Sequence, residues 1–278
     1  MMIRKHLRHA PDDPAAKGRE PIPGSIAGFS LIEVAVVLFI ITLMIGIVVA
    51  PLAGQVERQR TADTQKQLES IKEALYGFAM ANGRLPCPAT SASAGVESPS
   101  TGGACTTYSG FIPAATLGLT PVDSGGYGVD AWGGASNRIR YAVASLNWSM
   151  APNTSCPTSA SNVLTSGNGI QTATMACFAG GGISLLSVAT TMVNQPAQGC
   201  TPGSLAVNVP FVLFSLGRNA PSGGTGADEA QNLLSNGTTF VSRTQTDSNH
   251  CAGEFDDIVT WGSLNTLFAR LVQAGKLP

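Results

Sequence analysis

Six aspartates in loop-like stretches are the side chains of this sequence that could bind a metal ion: Asp123, Asp130, Asp228, Asp247, Asp256 and Asp257. Carboxylate oxygens are hard ligands that suit Ca²⁺. The three aspartates nearest the C-terminus, Asp247, Asp256 and Asp257, form the candidate calcium site. No segment has the regular ligand spacing of an EF-hand, so solvated loop acids and turn caps are the alternative interpretation.

A cysteine–histidine pair is the other arrangement that could do chemistry. His6 and His9 lie near the N-terminus, and His250 adjoins Cys251. Adjacent residues seldom face each other productively, and the sequence has no G-x-S-x-G, P-loop, H-E-x-x-H or dinucleotide-binding motif. We therefore expect no enzymatic activity and no organic cofactor. With 16 Lys+Arg against 17 Asp+Glu, the chain also lacks the charge excess that would recruit nucleic acid.

The cysteines indicate an oxidising compartment. All six lie beyond the apolar run at residues 29–50: Cys87, Cys105, Cys156, Cys177, Cys200 and Cys251. An even count without a CxxC or a cysteine–histidine cluster favours disulfides over a zinc site, and unpaired buried thiols are the alternative. The sequence leaves the pairing open. Pairing of neighbours, Cys87–Cys105, Cys156–Cys177 and Cys200–Cys251, is the simplest arrangement.

Residues 29–50 form an apolar run whose one charged residue is Glu33. As a helix the run is about 33 Å long, enough to cross a bilayer core. A secretory signal would be shorter and cleaved after the apolar region, whereas here the small residue Gly28 precedes it. A simple anchor leaves Glu33 unexplained, because an unpaired carboxylate in the membrane costs about 2–3 kcal/mol. Five basic and three acidic residues within 1–28 predict a cytoplasmic N-terminus.

The segment Gly28-Phe29-Ser30-Leu31-Ile32-Glu33 resembles the processing site of type IV prepilins and type II secretion pseudopilins. The resemblance implies that a prepilin peptidase cleaves after Gly28 and methylates the new N-terminus at Phe29. It also implies that Glu33 guides assembly into a filament. The expected partners are the prepilin peptidase, other pilin or pseudopilin subunits, the inner-membrane assembly platform and the lipid bilayer.

The same resemblance implies the organisation of the chain. We expect a leader at 1–28, a transmembrane and assembly helix at 29–51, an amphipathic stem helix at 52–83 and a globular domain at 84–278. Pro51 predicts a kink in the long helix. The precursor would cross the inner membrane once, with its globular domain in the periplasm, and then enter a pilus or pseudopilus.

The stem helix is predicted to pack on the globular domain by its second half. One apolar stripe at helical spacing supports this: Leu68, Ile71, Leu75 and Phe78. Its opposite charges recur at i,i+3: Glu57/Arg60, Asp63/Lys66 and Glu69/Lys72. Asn82-Gly83 is expected to end it. A free amphipathic or coiled-coil helix is the alternative.

Beyond a Ser/Thr/Gly/Ala-rich loop at 89–110, short β-like runs alternate with turns. The predicted strands are Ile139–Ala144, Ile183–Val188, Leu205–Leu216, Thr239–Ser242 and Ile258–Trp261. Pro210 predicts that the longest run is an edge strand or is broken in two. Ser263 is the predicted N-cap of a last helix with Leu264, Leu267, Phe268, Leu271 and Val272 inward and Gly275 as its stop. The fold class is α+β and pilin-like: a long helix on an antiparallel sheet with disulfide-tied loops.

Two further stretches are similar to pseudopilin-like proteins. Asp130-Ala131-Trp132-Gly133, followed by Tyr141, resembles a "D-x-W-G…Y" turn that enters a strand. Ser215-Leu216-Gly217 resembles an "S-x-G" element where a strand passes into a loop. We expect both to be structural, with Trp132 anchored in a core and the glycines in tight turns.

The sequence as a whole predicts a minor pilin or pseudopilin that is assembled into, or initiates, a type IV pilus or type II secretion pseudopilus. A membrane-anchored protein whose sheet domain binds a surface ligand such as a glycan is the second hypothesis. An anchored envelope enzyme is the third.

Overall fold

The computed structural model describes residues 28–144, 163–167, 169–172, 192–197, 201–206, 209–224, 226–233, 239–250 and 252–277. For residues 47–53, 192–197 and 201–204 it describes the backbone alone. The chain divides into two compact units, Met1–Leu52 and Ala53–Pro278. The predicted leader, apart from Gly28, and the predicted strand Ile183–Val188 lie outside the described residues.

Helix α1 runs from Leu31 to Asn82 and continues through Pro51. It ends where predicted: Gly83 has φ 69°, and its N–H donates to the Ala79 carbonyl at 2.7 Å. Glycine adopts this left-handed conformation without steric cost, which is why it ends helices so often.

Among the described residues, no helix is both long and apolar enough to cross a membrane. The predicted apolar segment 29–50 includes residues 47–50, whose side chains are not described.

The C-terminal part of α1 packs on the globular domain through the predicted stripe. Leu68, Ile71 and Leu75 are buried, and Tyr76 extends this face to meet the Phe211 ring edge-on at 5.5 Å. Phe78 departs from the prediction. It is half-buried, and the Arg84 guanidinium lies 5.1 Å from its ring centroid. With 3.6 residues per turn, the buried face of the helix continues from Leu75 to Ala79, which is fully buried. Phe78 therefore lies at the margin of this face.

Four antiparallel strands form the main sheet, in the order β1-β2-β5-β7. They are β1 (Ser109–Phe111), β2 (Arg140–Val143), β5 (Phe211–Ser215) and β7 (Ile258–Trp261). The predicted strand at 139–144 is thus present in slightly shorter form, and β7 has its predicted bounds. Strand β1 lies within the stretch that was expected to be loop.

A second sheet has the order β4-β3-β6, with β3 (Met192–Ala197), β4 (Thr201–Ala206) and β6 (Thr239–Val241). Strand β3 is antiparallel to β4 and parallel to β6. The predicted run Leu205–Leu216 is split between the two sheets, with Pro210 just before β5. Proline cannot donate to a ladder, so the break falls where the sequence indicated.

Short helices fill the connections: α2 (Ala114–Leu117), α3 (Gly169–Thr172) and α4 (Ala227–Asn232). The last helix, α5 (Leu264–Gln273), is followed by Gly275 with φ 64°. The predicted N-cap position of Ser263 is confirmed, whereas the prediction that Val272 faces inward is wrong. Ser263 occupies the N-cap position but makes no side-chain capping bond, and its N–H instead donates to the Tyr76 hydroxyl at 3.1 Å. Val272 is 42% exposed, because at 3.6 residues per turn it lies to one side of the face formed by the buried residues Leu267, Phe268 and Leu271.

The main sheet has an apolar core on each face because strand side chains alternate. Tyr141, Phe211 and Leu213 face the cluster that contains the α1 stripe and the inward face of α5. Val212 and Phe214 face a second cluster, where the Phe214 and Phe240 rings lie 5.5 Å apart. The described part of the chain is therefore a mixed α+β structure with an antiparallel sheet.

A disulfide and a buried ion pair tie the end of α1 to the loop that follows. Cys87 and Cys105 form the first of the three predicted neighbour pairs, with their Cα atoms 5.4 Å apart. The other four cysteines lie outside the described residues. Arg84 and Glu97, both buried, form two bonds of 2.7 and 2.8 Å, and Glu97 also accepts from the Cys87 N–H at 3.1 Å. The paired carboxylate and guanidinium satisfy each other's hydrogen-bonding groups out of contact with water.

Candidate functional site

The predicted processing segment is an exposed stretch that leads directly into α1. Phe29 is 81% exposed, and a Cβ placed on Gly28 would have no neighbouring atom within 4 Å. The helix begins two residues after Phe29, at Leu31. Every described side chain from there to residue 46 is exposed, and Glu33 is the one charged residue among them. The described chain of the first unit thus presents an accessible Gly28–Phe29 bond next to an uncovered apolar helix.

Glu33 has a local role that the sequence analysis missed. Its N–H donates to Ser30 Oγ at 3.2 Å, and its own carboxylate accepts from the Ser30 N–H at 3.4 Å. This reciprocal arrangement is a capping box, which satisfies N–H groups left unpaired in the first turn of a helix. The S-x-x-E spacing before an apolar run was the available signal. The carboxylate also lies at the positive end of the helix dipole, which stabilises a negative charge there.

The second candidate site is a buried cluster of three acids. Glu229 lies in α4, and Asp256 and Asp257 immediately precede β7. One carboxylate oxygen from each lies within 4.8 Å of one from each of the others. Glu229 is fully buried, and Asp256 and Asp257 are only 9% and 3% exposed. Three carboxylates at this separation repel one another strongly unless protons or a cation neutralise them.

Glu229 is held in place by the main chain and by Asn219. Its carboxylate accepts from the N–H groups of Gly226 at 3.1 Å and Asp256 at 2.8 Å. The Asn219 amide donates to both of its oxygens at 3.1 Å. These bonds join α4 to the loop that follows β5 and to the start of β7. They fix the carboxylate of Glu229 without supplying a positive charge.

The two aspartates each have one oxygen that lacks a hydrogen bond. Asp256 Oδ2 accepts from the Asn219 N–H at 3.0 Å, and Asp257 Oδ2 from the Asn232 amide at 2.7 Å. The Oδ1 atoms of both aspartates, and Oδ1 of Asn219, are buried without a partner. Buried oxygens in this condition are rare and call for a ligand or a proton.

The pKa values of the two aspartates are raised by their burial beside other carboxylates. Burial raises the pKa of Asp257 to about 8, and the charges of Glu229 and Asp256 add to the rise. Burial also raises the pKa of Asp256 to about 6, with a further contribution from Glu229. Both aspartates therefore hold protons far more tightly than an exposed aspartate does.

The other predicted aspartates lie elsewhere and have structural partners. Asp247 is exposed and is not part of the cluster; its carboxylate accepts from the Asn249 N–H at 3.0 Å, as a turn residue. The prediction that Asp247 joins Asp256 and Asp257 is therefore wrong. The member it missed is Glu229, which comes from another element. Two more aspartates form ion pairs: Asp123 with Arg138 at 2.6 Å and Asp228 with Arg243 at 2.7 Å.

Asp130 joins the two stretches that resembled pseudopilin motifs. Its Oδ1 accepts from the Trp132 N–H at 2.9 Å, as a turn cap, and its Oδ2 accepts from Ser215 Oγ at 2.5 Å. Asn137 donates to Asp130 Oδ2 at 3.2 Å and to the Gly217 carbonyl at 2.7 Å. Burial raises the pKa of Asp130, and these hydrogen bonds oppose the rise. The contact has a structural role, since it holds the two stretches together. It could not be predicted from the sequence, because the two stretches lie far apart in the chain.

Trp132 is partly buried and packs against the main apolar core, as expected. Its indole N–H donates to the carboxylate of Glu57 on α1 at 3.2 Å. Glu57 thus contacts the globular domain rather than Arg60. Of the three predicted pairs on α1, Glu69–Lys72, at 2.5 Å, is the one that forms among the described residues.

The cluster of Glu229, Asp256 and Asp257 offers oxygen atoms alone, a set that suits a hard divalent cation such as Ca²⁺. His250 is exposed, and its Nδ1 accepts from the Ala252 N–H at 3.2 Å. Cys251 lies outside the described residues.

Comparison of the chain with protein-family models, with curated proteins and with solved structures gives no match.

Proposed function

We propose that this protein is a minor pilin or pseudopilin, a structural subunit that assembles through its N-terminal helix after a prepilin peptidase removes residues 1–28. The observation that carries the proposal is the segment Gly28 to Glu33. An exposed Gly28–Phe29 bond, the start of α1 at Leu31 and a single acid in the first turn lie together, ahead of an uncovered apolar helix. That combination suits cleavage followed by helix-to-helix packing.

In this proposal residues 29–50 cross the inner membrane, with the N-terminus in the cytoplasm and the globular domain in the periplasm. The peptidase and the assembly platform act at the membrane, and neighbouring subunits then cover the apolar surface of α1. A helix that is apolar all round needs either lipid or other helices against it. The disulfide Cys87–Cys105 is consistent with an oxidising periplasm.

Processing can be tested on the N-terminus of the mature protein. Cleavage should leave Phe29, carrying one added methyl group, as the first residue found by mass spectrometry. Gly28→Val should block cleavage, because a branched side chain would occupy space beside the scissile bond. Gly54→Val is the matched control, since Gly54 is also an exposed glycine but lies far from the bond in sequence. An intact Met1 on assembled protein would refute the proposal.

Assembly can be tested separately, through Glu33. Cleavage creates an amine on Phe29, and in the filament the Glu33 carboxylate would leave its contact with Ser30 to meet the amine of a neighbouring subunit. A buried ion pair sets geometry more than it adds affinity. Glu33→Gln and Glu33→Ala should therefore leave membrane content and cleavage near normal while lowering the filament content.

The control variant for this test is Asp63→Asn, which removes another exposed acid from α1. The ratio of filament to membrane content should fall for the Glu33 variants and stay unchanged for Asp63→Asn. If Glu33→Ala assembles like the unaltered protein, Glu33 serves the helix cap alone and assembly does not depend on its charge.

We further propose that Glu229, Asp256 and Asp257 hold Ca²⁺. Three observations support this: the three carboxylates converge within 4.8 Å, two of them have a buried oxygen without a partner, and Asn219 contributes a third such oxygen. A bound cation would neutralise the repulsion and join α4, the loop after β5 and the start of β7. Its role would be to stabilise this end of the domain.

A further inference from the structure

Arg140 on β2 is a half-buried cation that has no counter-ion within the described part of the chain. Its Nε atom is buried without a hydrogen-bond partner. Unpaired donors of this kind are rare in proteins, because a polar group removed from water loses its hydrogen bonds with water. Arg84, by contrast, is buried against Glu97 in two short hydrogen bonds. Arg140 therefore lacks both an acceptor and a compensating negative charge.

The sequence leaves no other side-chain acid to pair with Arg140. Three of the 17 acidic residues, Asp12, Asp13 and Glu20, lie in the segment 1–28, where five basic residues outnumber them. All the others lie among the described residues, and none of them forms an ion pair with Arg140. A counter-ion for this guanidinium would therefore have to come from outside the chain.

Aromatic residues flank Arg140 on both sides within the main sheet. The strand register places it opposite Phe111 of β1 and opposite Phe214 of β5. Its guanidinium carbon lies over the Phe111 ring, 4.4 Å from the centroid, a distance at which the ring attracts the cation. The ring thus holds the guanidinium in place, and apolar surroundings of this kind strengthen the attraction between a cation and an anion.

A second guanidinium adds positive charge beside the first. The guanidinium carbon of Arg138 lies 5.5 Å from the centroid of the same Phe111 ring and 4.0 Å from that of Tyr127. Arg138 donates from Nε to the carboxylate of Asp123 at 2.6 Å, so its charge is compensated. Burial and, after it, the charge of Arg138 lower the pKa of Arg140. Two cations with one acid leave a single positive charge uncompensated at this place.

We propose that Arg140 binds the carboxylate group of a small ligand, with Arg138 adding attraction from beside it. The terminal nitrogens of a guanidinium match the two oxygens of a carboxylate and form paired, charge-assisted hydrogen bonds with them. One carboxylate also neutralises the single uncompensated charge. A tetrahedral phosphate would direct further oxygens toward the electron-rich face of Phe111, which repels them. This binding function goes beyond assembly through α1 and does not rest on it.

The test uses the full-length chain in mild detergent, isotope-labelled on its arginine nitrogens for NMR. The Nε–H signal of Arg140, identified by its loss in Arg140→Lys, is followed as sodium acetate replaces sodium chloride at constant ionic strength. Acetate should shift this signal saturably and bind about tenfold more tightly than at Arg60, an exposed arginine of α1 that water screens. The signal of Arg84 should not move, because that guanidinium is already paired with Glu97.

Substitutions around the site should change the affinity for acetate in opposite directions. Arg140→Lys keeps the charge but loses the paired donors, and should weaken binding, read at the Arg138 signal, by about fivefold or more. Asp123→Asn removes the one acid beside the two cations and should tighten binding by about threefold, a gain that misfolding cannot produce. Asp63→Asn, which removes an exposed acid from α1, is the matched control and should leave the affinity unchanged.

Three results would overturn the proposal. The first is that acetate shifts the signals of Arg140 and Arg60 alike, which would mean that no site is built around Arg140. The second is that Asp123→Asn fails to tighten binding. The third is that dimethyl phosphate binds more tightly than acetate, which would assign the site to a phosphodiester instead of a carboxylate.

Discussion

Protons and Ca²⁺ should compete for the acidic cluster, and this competition can be measured as stability. In the folded chain the pKa of Asp257 is about 8, against an ordinary value of 3.8. A carboxyl group whose pKa is raised on folding favours the folded state most when both states are protonated. Its contribution is full below about pH 4 and is lost as the pH rises to about 8.

The size of this effect follows from the two pKa values. A difference of about 4 pH units corresponds to roughly 6 kcal/mol at about 1.4 kcal/mol each, so Asp257 alone can dominate the pH dependence of unfolding. Asp256 acts in the same direction over a narrower range, because its pKa is about 6. Without a cation, the free energy of unfolding should therefore fall between about pH 5 and pH 8.

Calcium should restore at pH 8 part of the stability that deprotonation removes. At a concentration about 100 times its dissociation constant, a ligand that binds the folded state alone adds about 2.7 kcal/mol. For a domain of this size that raises the melting temperature by about 5–10 °C. At about pH 5 the cation must first displace a proton from Asp257, at a cost of roughly 4 kcal/mol, so little stabilisation should be seen.

The assay is thermal unfolding of the full-length chain, followed by tryptophan fluorescence at both pH values, with Ca²⁺ or with a chelator. Asp257→Asn should raise the melting temperature in chelator at pH 8 and abolish the response to Ca²⁺. Asp247→Asn is the control, because Asp247 is exposed and outside the cluster. A calcium shift of equal size at both pH values, or one that survives Asp257→Asn, would show that the cation binds elsewhere.

Two further variants test the buried ion pair at the end of α1 and the packing beside the acidic cluster. Glu97→Gln should destabilise the protein by about 3–5 kcal/mol in denaturant unfolding, because it leaves Arg84 buried without its counter-ion; an effect below about 1 kcal/mol would mean that water reaches the guanidinium. Gly217→Ala should destabilise by about 1–3 kcal/mol, since its φ is 66° and a Cβ would lie 2.5 Å from the Asp256 carbonyl oxygen. Gly223→Ala is the matched control, with φ 76° and no atom within 4 Å of a Cβ, so equal losses would remove the contact with Asp256 as the cause.

Local patterns in the sequence were sufficient for several elements of the fold. The spacing of Leu68, Ile71 and Leu75, and Gly83 after them, predicted the inward face and the end of α1. The short β-like run Ile258–Trp261, made of β-branched and aromatic residues, predicted β7 with its observed bounds. These features depend on periodicity and on the conformational freedom of glycine, which are properties of neighbouring residues and need no knowledge of the rest of the chain.

The short elements were not predictable in this way. Strand β1 and helix α4 have three and six residues, too few to show a period, and long-range pairing stabilises them. The same limit explains the strand break at Pro210. The sequence indicated that proline interrupts a strand there, but it could not show that the two halves belong to different sheets.

The two candidate sites differ in the same way: one follows from neighbouring residues in the sequence and the other from tertiary structure. Gly28, Phe29 and Glu33 are contiguous, so the sequence alone brings them together and the structure adds only the capping bond to Ser30. The acidic cluster depends on tertiary structure, because Glu229 is distant from Asp256 in the chain and the two meet only when α4 lies beside the residues that lead into β7. Asp247, much closer in sequence, turns outward instead. Sequence proximity predicts contact only while the chain continues in one element; beyond a turn, the packing of the apolar faces decides which polar groups meet.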